Sequence, residues 1–251
     1  MSSSLLTPPS EQNVHVWQWD LDVRGSEFNQ YWEILSTQER ERADKFRFER
    51  HRHRYVVGRG ELRQILGRYL ALAPQAVTLD YGPEGKPFCT IQPSDWKLCF
   101  NLSHTENRAA LAISNDFEIG IDIEQVRPIE ENLPTHVFST RERAQFDALP
   151  GTEERQKVFF ETWARKEAGL KALGTGFILP PDHFEFDLSV HGDTTPRFVG
   201  GDAQEATHWR IRALPANPVC AGAVAARRKD WSIVEMNQEA LRQRPVGYRP
   251  A

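Results

Sequence analysis

The six residues Ile119-Gly120-Ile121-Asp122-Ile123-Glu124 constrain this chain more than any other stretch. Apolar and polar side chains alternate with period two, the pattern of a strand with one buried face. Ile119, Ile121 and Ile123 point to a core. Asp122 and Glu124 point the other way, with Cα atoms about 7 Å apart. Carboxylates this close repel unless a cation lies between them or one holds a proton. Oxygen ligands on a short, stiff strand suit a hard cation such as Mg²⁺, which takes one or two carboxylates and fills its shell with water and phosphate. Alone, the hexapeptide reads equally as a half-buried edge strand with two solvated acids. The flanking segments decide.

The 251 residues are long enough for one large domain or two small ones. With 39% apolar and 26% charged residues, the chain has the composition of a globular protein with a proper core. A net charge of −4 argues against a general nucleic-acid surface. Cys89, Cys99 and Cys220 form no metal-spaced pair and fit a reducing, cytoplasmic setting. The segment Met1 to Pro9 lacks the basic and apolar regions of a signal peptide. No stretch reaches the ~18 apolar residues of a membrane span.

Along the chain, Val14 to Leu21 alternates as a strand, and Ser36-Thr37-Gln38-Glu39 is a capping box opening a helix. The run Arg42 to Arg54 is dense in cations, either a polyanion site or a solvated face paired with Glu39, Glu41 and Glu49. Leu62, Ile65, Leu66, Tyr69 and Leu70 recur at helical spacing, and Pro74 ends that helix. A strand over Val77 to Tyr81 leads into the turn Gly82 to Pro87, which presents Lys86 on a constrained backbone. The strand Leu98 to His104 ends in Asn101, Ser103 and His104, hydrogen-bonding groups suited to phosphate or ribose oxygens. Neighbours on a strand face opposite ways, so Ser103 and His104 are badly placed as a nucleophile–base pair.

Beyond the hexapeptide, Ser139-Thr140-Arg141-Glu142 starts a helix expected to expose Arg141, Arg143 and Phe146. A longer helix follows over Val158 to Leu173, with Phe159, Trp163, Leu170 and Leu173 on one stripe. Glu167 and Lys171 sit four apart on its shoulder. They are either a surface pair worth about 0.3 kcal/mol or a third carboxylate beside a phosphate-neutralising lysine. Gly174-Thr175-Gly176 ends this helix. Gly169 costs about 1 kcal/mol relative to alanine inside it, and Lys166 falls near the apolar stripe without a reason visible in the sequence. His183 to Val190, Trp209 to Leu214 and Cys220 to Ala226 read as strands closing a second sheet, and Arg242 to Ala251 as a frayed tail.

In order, Gly85-Lys86-Pro87, Phe100-Asn101-Leu102-Ser103-His104, Gly120 to Glu124, Trp163 to Ala168, Lys171 and Gly174 to Gly176 resemble the 4′-phosphopantetheinyl transferase superfamily, surfactin-synthetase type. The likeness spans Val14 to Ala226, and Gly169 departs from it, where the family carries a larger side chain. The resemblance implies an α+β pseudo-dimer of two similar α/β subdomains in one chain, 1–115 and 116–226, followed by a tail over 227–251. It implies coenzyme A in the cleft between the halves. Arg42 and His104 would bind the 3′-phosphate, helped by Arg54. Gly85, Lys86 and Pro87 would line the adenine site, and Asn101 and Ser103 would fix the nucleotide. Asp122, Glu124 and Glu167 would hold Mg²⁺ on the pyrophosphate, with Lys171 neutralising a phosphate oxygen and Glu124 or Glu167 serving as base.

The implied reaction carries the phosphopantetheine arm of coenzyme A to a serine of an acidic apo carrier protein and releases adenosine 3′,5′-bisphosphate. Arg141, Arg143 and Phe146 are expected to receive that carrier, and an internal pseudo-dimer is expected to be monomeric. The alternative is a Mg²⁺-dependent nucleotide phosphohydrolase using the same carboxylates. A nucleic-acid-binding module built on the arginine cluster leaves those carboxylates unexplained.

Overall fold

A computed structural model of the chain describes residues 6–23, 26–174, 179–215 and 219–237. The first half runs β1 (Asn13–Asp20), α1 (Ser26–Ile34), α2 (Thr37–Ala43), α3 (Glu49–Leu70), the hairpin β2 (Leu79–Tyr81) and β3 (Pro87–Cys89), then β4 (Leu98–Thr105) and β5 (Arg108–Asn115). The second runs β6 (Gly120–Gln125), α4 (Leu133–Val137), α5 (Thr140–Asp147), α6 (Thr152–Leu173), the small pair β7 (Phe184–Glu185) and β8 (Phe198–Val199), α7 (Ala203–Ala206), β9 (Arg210–Ala213) and β10 (Cys220–Ala226). A last strand, β11 (Ser232–Met236), follows.

The halves repeat one plan. The first sheet holds β1-β5-β4 and the second β6-β10-β9, so in each the first strand pairs antiparallel with the third and the third with the second. The helices keep the same register. Ser36 and Ser139, Glu39 and Glu142, Arg63 and Lys166, and Leu70 and Leu173 are each 103 residues apart, and α3 and α6 both have 22 residues. The capping box expected at Ser36 forms, and the helix start expected at Ser139 proves to be a second one, with each serine accepting from the backbone N–H three residues on.

In each half the capping glutamate also turns inward to meet a cation on the long helix. Glu39 accepts from Arg59 Nε at 3.1 Å and Arg63 Nε at 2.6 Å. Glu142 accepts from Lys166 Nζ at 2.7 Å, and both side chains are fully buried. Lys166 donates further to the carbonyls of Phe184 and Pro181. This supplies the missing account of Lys166: a buried ammonium is tolerated where a carboxylate and carbonyls take its donors.

β1 is buried on both faces. Trp17 and Trp19 join Leu62, Ile65 and Leu66 of α3, while Val14 and Val16 meet Ile121, Ile123 and Val224 of the second sheet. The halves thus share a core. α6 lies on β6 at Gly120, where an added Cβ would stand 2.0 Å from the Ala168 carbonyl oxygen. Glycine is required there for strand and helix to touch. Gly169 has a similar cause: the Phe184 ring fills the space of its side chain, 2.8 Å from a built Cβ.

Several expectations change. Only Phe184 and Glu185 of the segment 183–190 are strand, and they pair with β8 rather than with the second sheet. The helix over 49–70 ends on Ala71 in the left-handed conformation, and Pro74 opens a short 3₁₀ turn. The expected tail 227–251 begins with structure: β11 pairs in parallel with β1, from Asn13↔Ser232 to Trp17↔Met236. Ile233 packs into the shared core and Met236 against the α3-side core, which a tail reading of the weakened apolar pattern missed. Thr175, Gly176 and residues 238–251 lie outside the described residues.

Candidate active site between the halves

β6 and α6 bring the expected acids together. Asp122 is 3% exposed, and Lys171 Nζ donates to its Oδ1 at 2.6 Å. Ser103 Oγ donates to the same oxygen at 2.9 Å. Its Oδ2 is buried with no hydrogen-bond partner, an expensive state for a carboxylate oxygen. Burial raises the Asp122 carboxyl above its ordinary value, against the opposing pull of Lys171. Glu124 is raised to about 7, by burial first and then by the charge of Asp122, with Glu167 adding to it. Glu167 is raised by burial and by Asp122. The three acids therefore feel one another across a half-buried space.

Among the described residues, no three His, Cys, Asp or Glu side chains stand close enough to hold a metal ion as they are. The donor set nevertheless fits a hard divalent cation. One buried carboxylate oxygen lacks a partner, and three carboxyls repel one another's ionised forms. A cation is what lowers that repulsion.

A cleft of about 320 Å³ lies beside these groups and is lined by Glu167 and Lys171 of this cluster, not by Asp122 or Glu124. Gly85, Lys86, Pro87, Asn101, Glu167 and Lys171 line it, with an apolar wall of Leu102, Leu170, Leu179, Pro180 and Pro181. Five expected residues thus meet Glu167 at one opening. Gly85 has a φ of 78°, which its turn requires.

Other expected groups are committed elsewhere. Lys86 Nζ donates to Glu118 Oε2 at 2.8 Å and to the carbonyls of Ile119 and Lys171 at 3.1 and 3.0 Å. All three of its donors are used, so Lys86 fastens the β2–β3 hairpin to β6 and to the last turn of α6. Asn101 Oδ1 accepts from Ile121 N at 2.8 Å, and Ser103 Oγ from Ile123 N at 3.4 Å. Arg54 is held by Asp22 at 2.7 Å and Glu106 at 2.9 Å.

Arg42 is exposed, its guanidinium over the Tyr55 ring at 5.5 Å. His104 lies at the solvent-facing rim. Its imidazole is held below the ordinary value by partial burial and then by the charge of Lys171, and Arg42 acts in the same direction. Arg42 and Lys171 are therefore each within electrostatic reach of His104. Ser103 is buried against Asp122 while His104 faces out, as the strand geometry required. The expected landing site at Arg141, Arg143 and Phe146 does not form as such. Phe146 packs against Phe138 and Phe159 in a core, and Arg143 is taken by Asp147 and Thr135. The helical stripe predicted over 158–173 gave no sign that α5 covers it there.

Residues 118–224 match a family model described as the 4′-phosphopantetheinyl transferase superfamily, and residues 18–116 one described as 4′-phosphopantetheinyl transferase, N-terminal. The chain is 38% identical over 220 residues to the 4′-phosphopantetheinyl transferase HetI of Nostoc sp., covering 87% of this chain and 89% of that protein. It is 30% identical over 198 residues to a putative 4′-phosphopantetheinyl transferase of Synechocystis sp., covering 74% of each. It is 27% identical over 176 residues to the 4′-phosphopantetheinyl transferase Sfp of Bacillus subtilis, covering 70% and 76%.

Proposed function

The chain belongs to the 4′-phosphopantetheinyl transferase superfamily, and on that premise we propose a Mg²⁺-assisted transfer in the cleft between its halves. The protein moves the 4′-phosphopantetheine arm of coenzyme A onto a carrier protein. The carrier's serine oxygen bonds to the β-phosphorus, the bond from that phosphorus to the bridging oxygen breaks, and the oxygen leaves on the α-phosphate of adenosine 3′,5′-bisphosphate. Phosphoryl transfer of this kind depends on placement and on neutralising charge.

Asp122, Glu124 and Glu167 would hold Mg²⁺, which when bound neutralises the pyrophosphate. The observation that carries this reading is the buried, unpartnered Oδ2 of Asp122 beside two carboxyls raised above their ordinary values. Lys171 sits where it can leave Asp122 Oδ1 for a phosphate oxygen, a short move along the same cleft. Glu124, directly or through a water, would take the serine proton. Arg42 and His104 form the cationic and hydrogen-bonding rim for the 3′-phosphate. Gly85 and Pro87 line the adenine side, with Lys86, Asn101 and Ser103 bracing it from behind.

Incubation with coenzyme A, Mg²⁺ and a panel of apo carriers, read by intact mass, tests the proposal. One added phosphopantetheine arm per carrier serine is expected, and chelation of Mg²⁺ should stop it. Transfer undiminished by a chelator would refute the metal assignment. Phosphate release from coenzyme A without an acceptor would favour the phosphohydrolase reading.

A further inference from the structure

β6 occupies in the second half the place that β1 occupies in the first, yet their outer edges are treated differently. β1 lies between β5 and β11. β6 ends its sheet, paired only with β10 among the described strands. Its residues Ile121 and Ile123 are buried, so unpaired backbone N–H groups there would be costly.

They are met by side chains. Ile121 N donates to Asn101 Oδ1 at 2.8 Å, Ile123 N to Ser103 Oγ at 3.4 Å, and Gln125 N to Thr105 Oγ1 at 3.2 Å. Donor and acceptor residue numbers differ by 20 each time. Alternate side chains on one face of β4 thus replace the missing backbone ladder and fix β6 in one register. Asp122 and Glu124 are the residues between these anchor points. A slip of one residue would reverse which face each occupies.

We infer that Thr105 is a positioning residue for transfer: its hydroxyl fixes the backbone just beyond Glu124 and so sets where that carboxylate stands relative to Asp122 and Glu167. The inference rests on the reading of Glu124 given above. Thr105 itself touches no reacting group. Asn101 and Ser103 hold the inner part of the strand, where Lys171 and the shared core also hold it. At the outer end, near solvent, β10 pairs with β6 as far as Gln125, and the Thr105 bond is the hydrogen bond from β4 on the opposite edge.

The test compares Thr105→Val, which keeps the shape and loses the acceptor, with Thr105→Ser, which keeps the acceptor. Intact protein is assayed for kcat, for KM of coenzyme A, and for thermal midpoint. Thr105→Val should lose about tenfold or more in kcat, in line with the sensitivity of positioned reactions to small displacements. Its KM for coenzyme A should stay within about twofold, and Thr105→Ser should recover most of kcat. A wild-type kcat in Thr105→Val overturns the inference. So does an equal loss in both variants, or a loss matched by a raised KM. Glu124→Ala is run alongside. If it too has full activity, the role of Glu124 has failed. If it is inactive while Thr105→Val is not, only the positioning role has failed.

Discussion

Replacing Glu124 with glutamine should stabilise the metal-free protein, and only at high pH. The carboxyl is raised from an ordinary 4.5 to about 7, so the folded chain binds this proton more tightly than the unfolded chain does. The sign follows directly: folding stability from this group is full below about 4.5 and is lost as pH rises through about 7. Each tenfold change in proton affinity is about 1.4 kcal/mol, so ionised Glu124 costs the fold about 3 kcal/mol at pH 8 as an upper bound. Its side chain is 21% exposed and lies 3.7 Å from Arg127. Solvent screening and loss of that contact reduce the expected gain to about 1–2 kcal/mol. For a chain of this size that is roughly 2–8 °C in Tm. Calorimetry of wild type and Glu124→Gln at pH 8 and pH 4, in chelator, should show the gain at pH 8 and almost none at pH 4. Added Mg²⁺ should raise the Tm of wild type more than that of the variant, since an ion that binds only the folded form stabilises it. A variant destabilised equally at both pH values would refute the idea of a strained carboxylate cluster.

Asp122→Ala and Glu167→Ala should each abolish carrier modification in a mass assay while leaving the circular dichroism spectrum intact, because each removes an acid from a repulsive group. Glu142→Gln should cost about 3–5 kcal/mol in urea denaturation, since it strands the buried ammonium of Lys166. Gly120→Ala should cost at least about 1–3 kcal/mol and slow transfer, because its Cβ would collide with the Ala168 carbonyl and push α6 away from β6.

What could be read from the sequence was the chemistry carried by periodic elements. The alternation at 119–124 placed Asp122 and Glu124 together, and the i,i+4 pair placed Glu167 and Lys171 on one shoulder of a helix. The capping box at Ser36 and the helix start at Ser139 were legible because the pattern is local. The commitments of the cations were not. Lys86 spends its donors on groups 32 to 85 residues away, and Arg54 on Asp22 and Glu106, pairings that no short-range pattern encodes. Lys166 was anomalous on an apolar stripe because its partner, Glu142, lies 24 residues away on another helix. β11 escaped because a five-residue strand lent to the sheet of the other half has little periodicity of its own.

The repeat also explains why chemistry collects in one half. At the offset of 103 that aligns α3 with α6, the counterparts of Glu167 and Lys171 are Gln64 and Arg68. The counterpart of Asp122 is Trp19, which is buried in the α3-side core. The first half therefore retains the helix, the cap and the buried glutamate–cation contact, but has filled the position of the central acid with an indole. Both members keep what the fold needs, namely a strand crossed by a long helix pinned through its capping glutamate. Only the second keeps Gly120, which lets that helix approach closely enough for an acid on the helix to face an acid on the strand. The first half lends the other wall: β4 supplies the side chains that hold β6 in register, and the β2–β3 hairpin supplies the lysine that fastens the end of α6. Separated from its partner, the acid-bearing half would lose these supports and expose the apolar face of β6. Activity is thus expected to require both halves in contact, even though every proposed metal ligand comes from one.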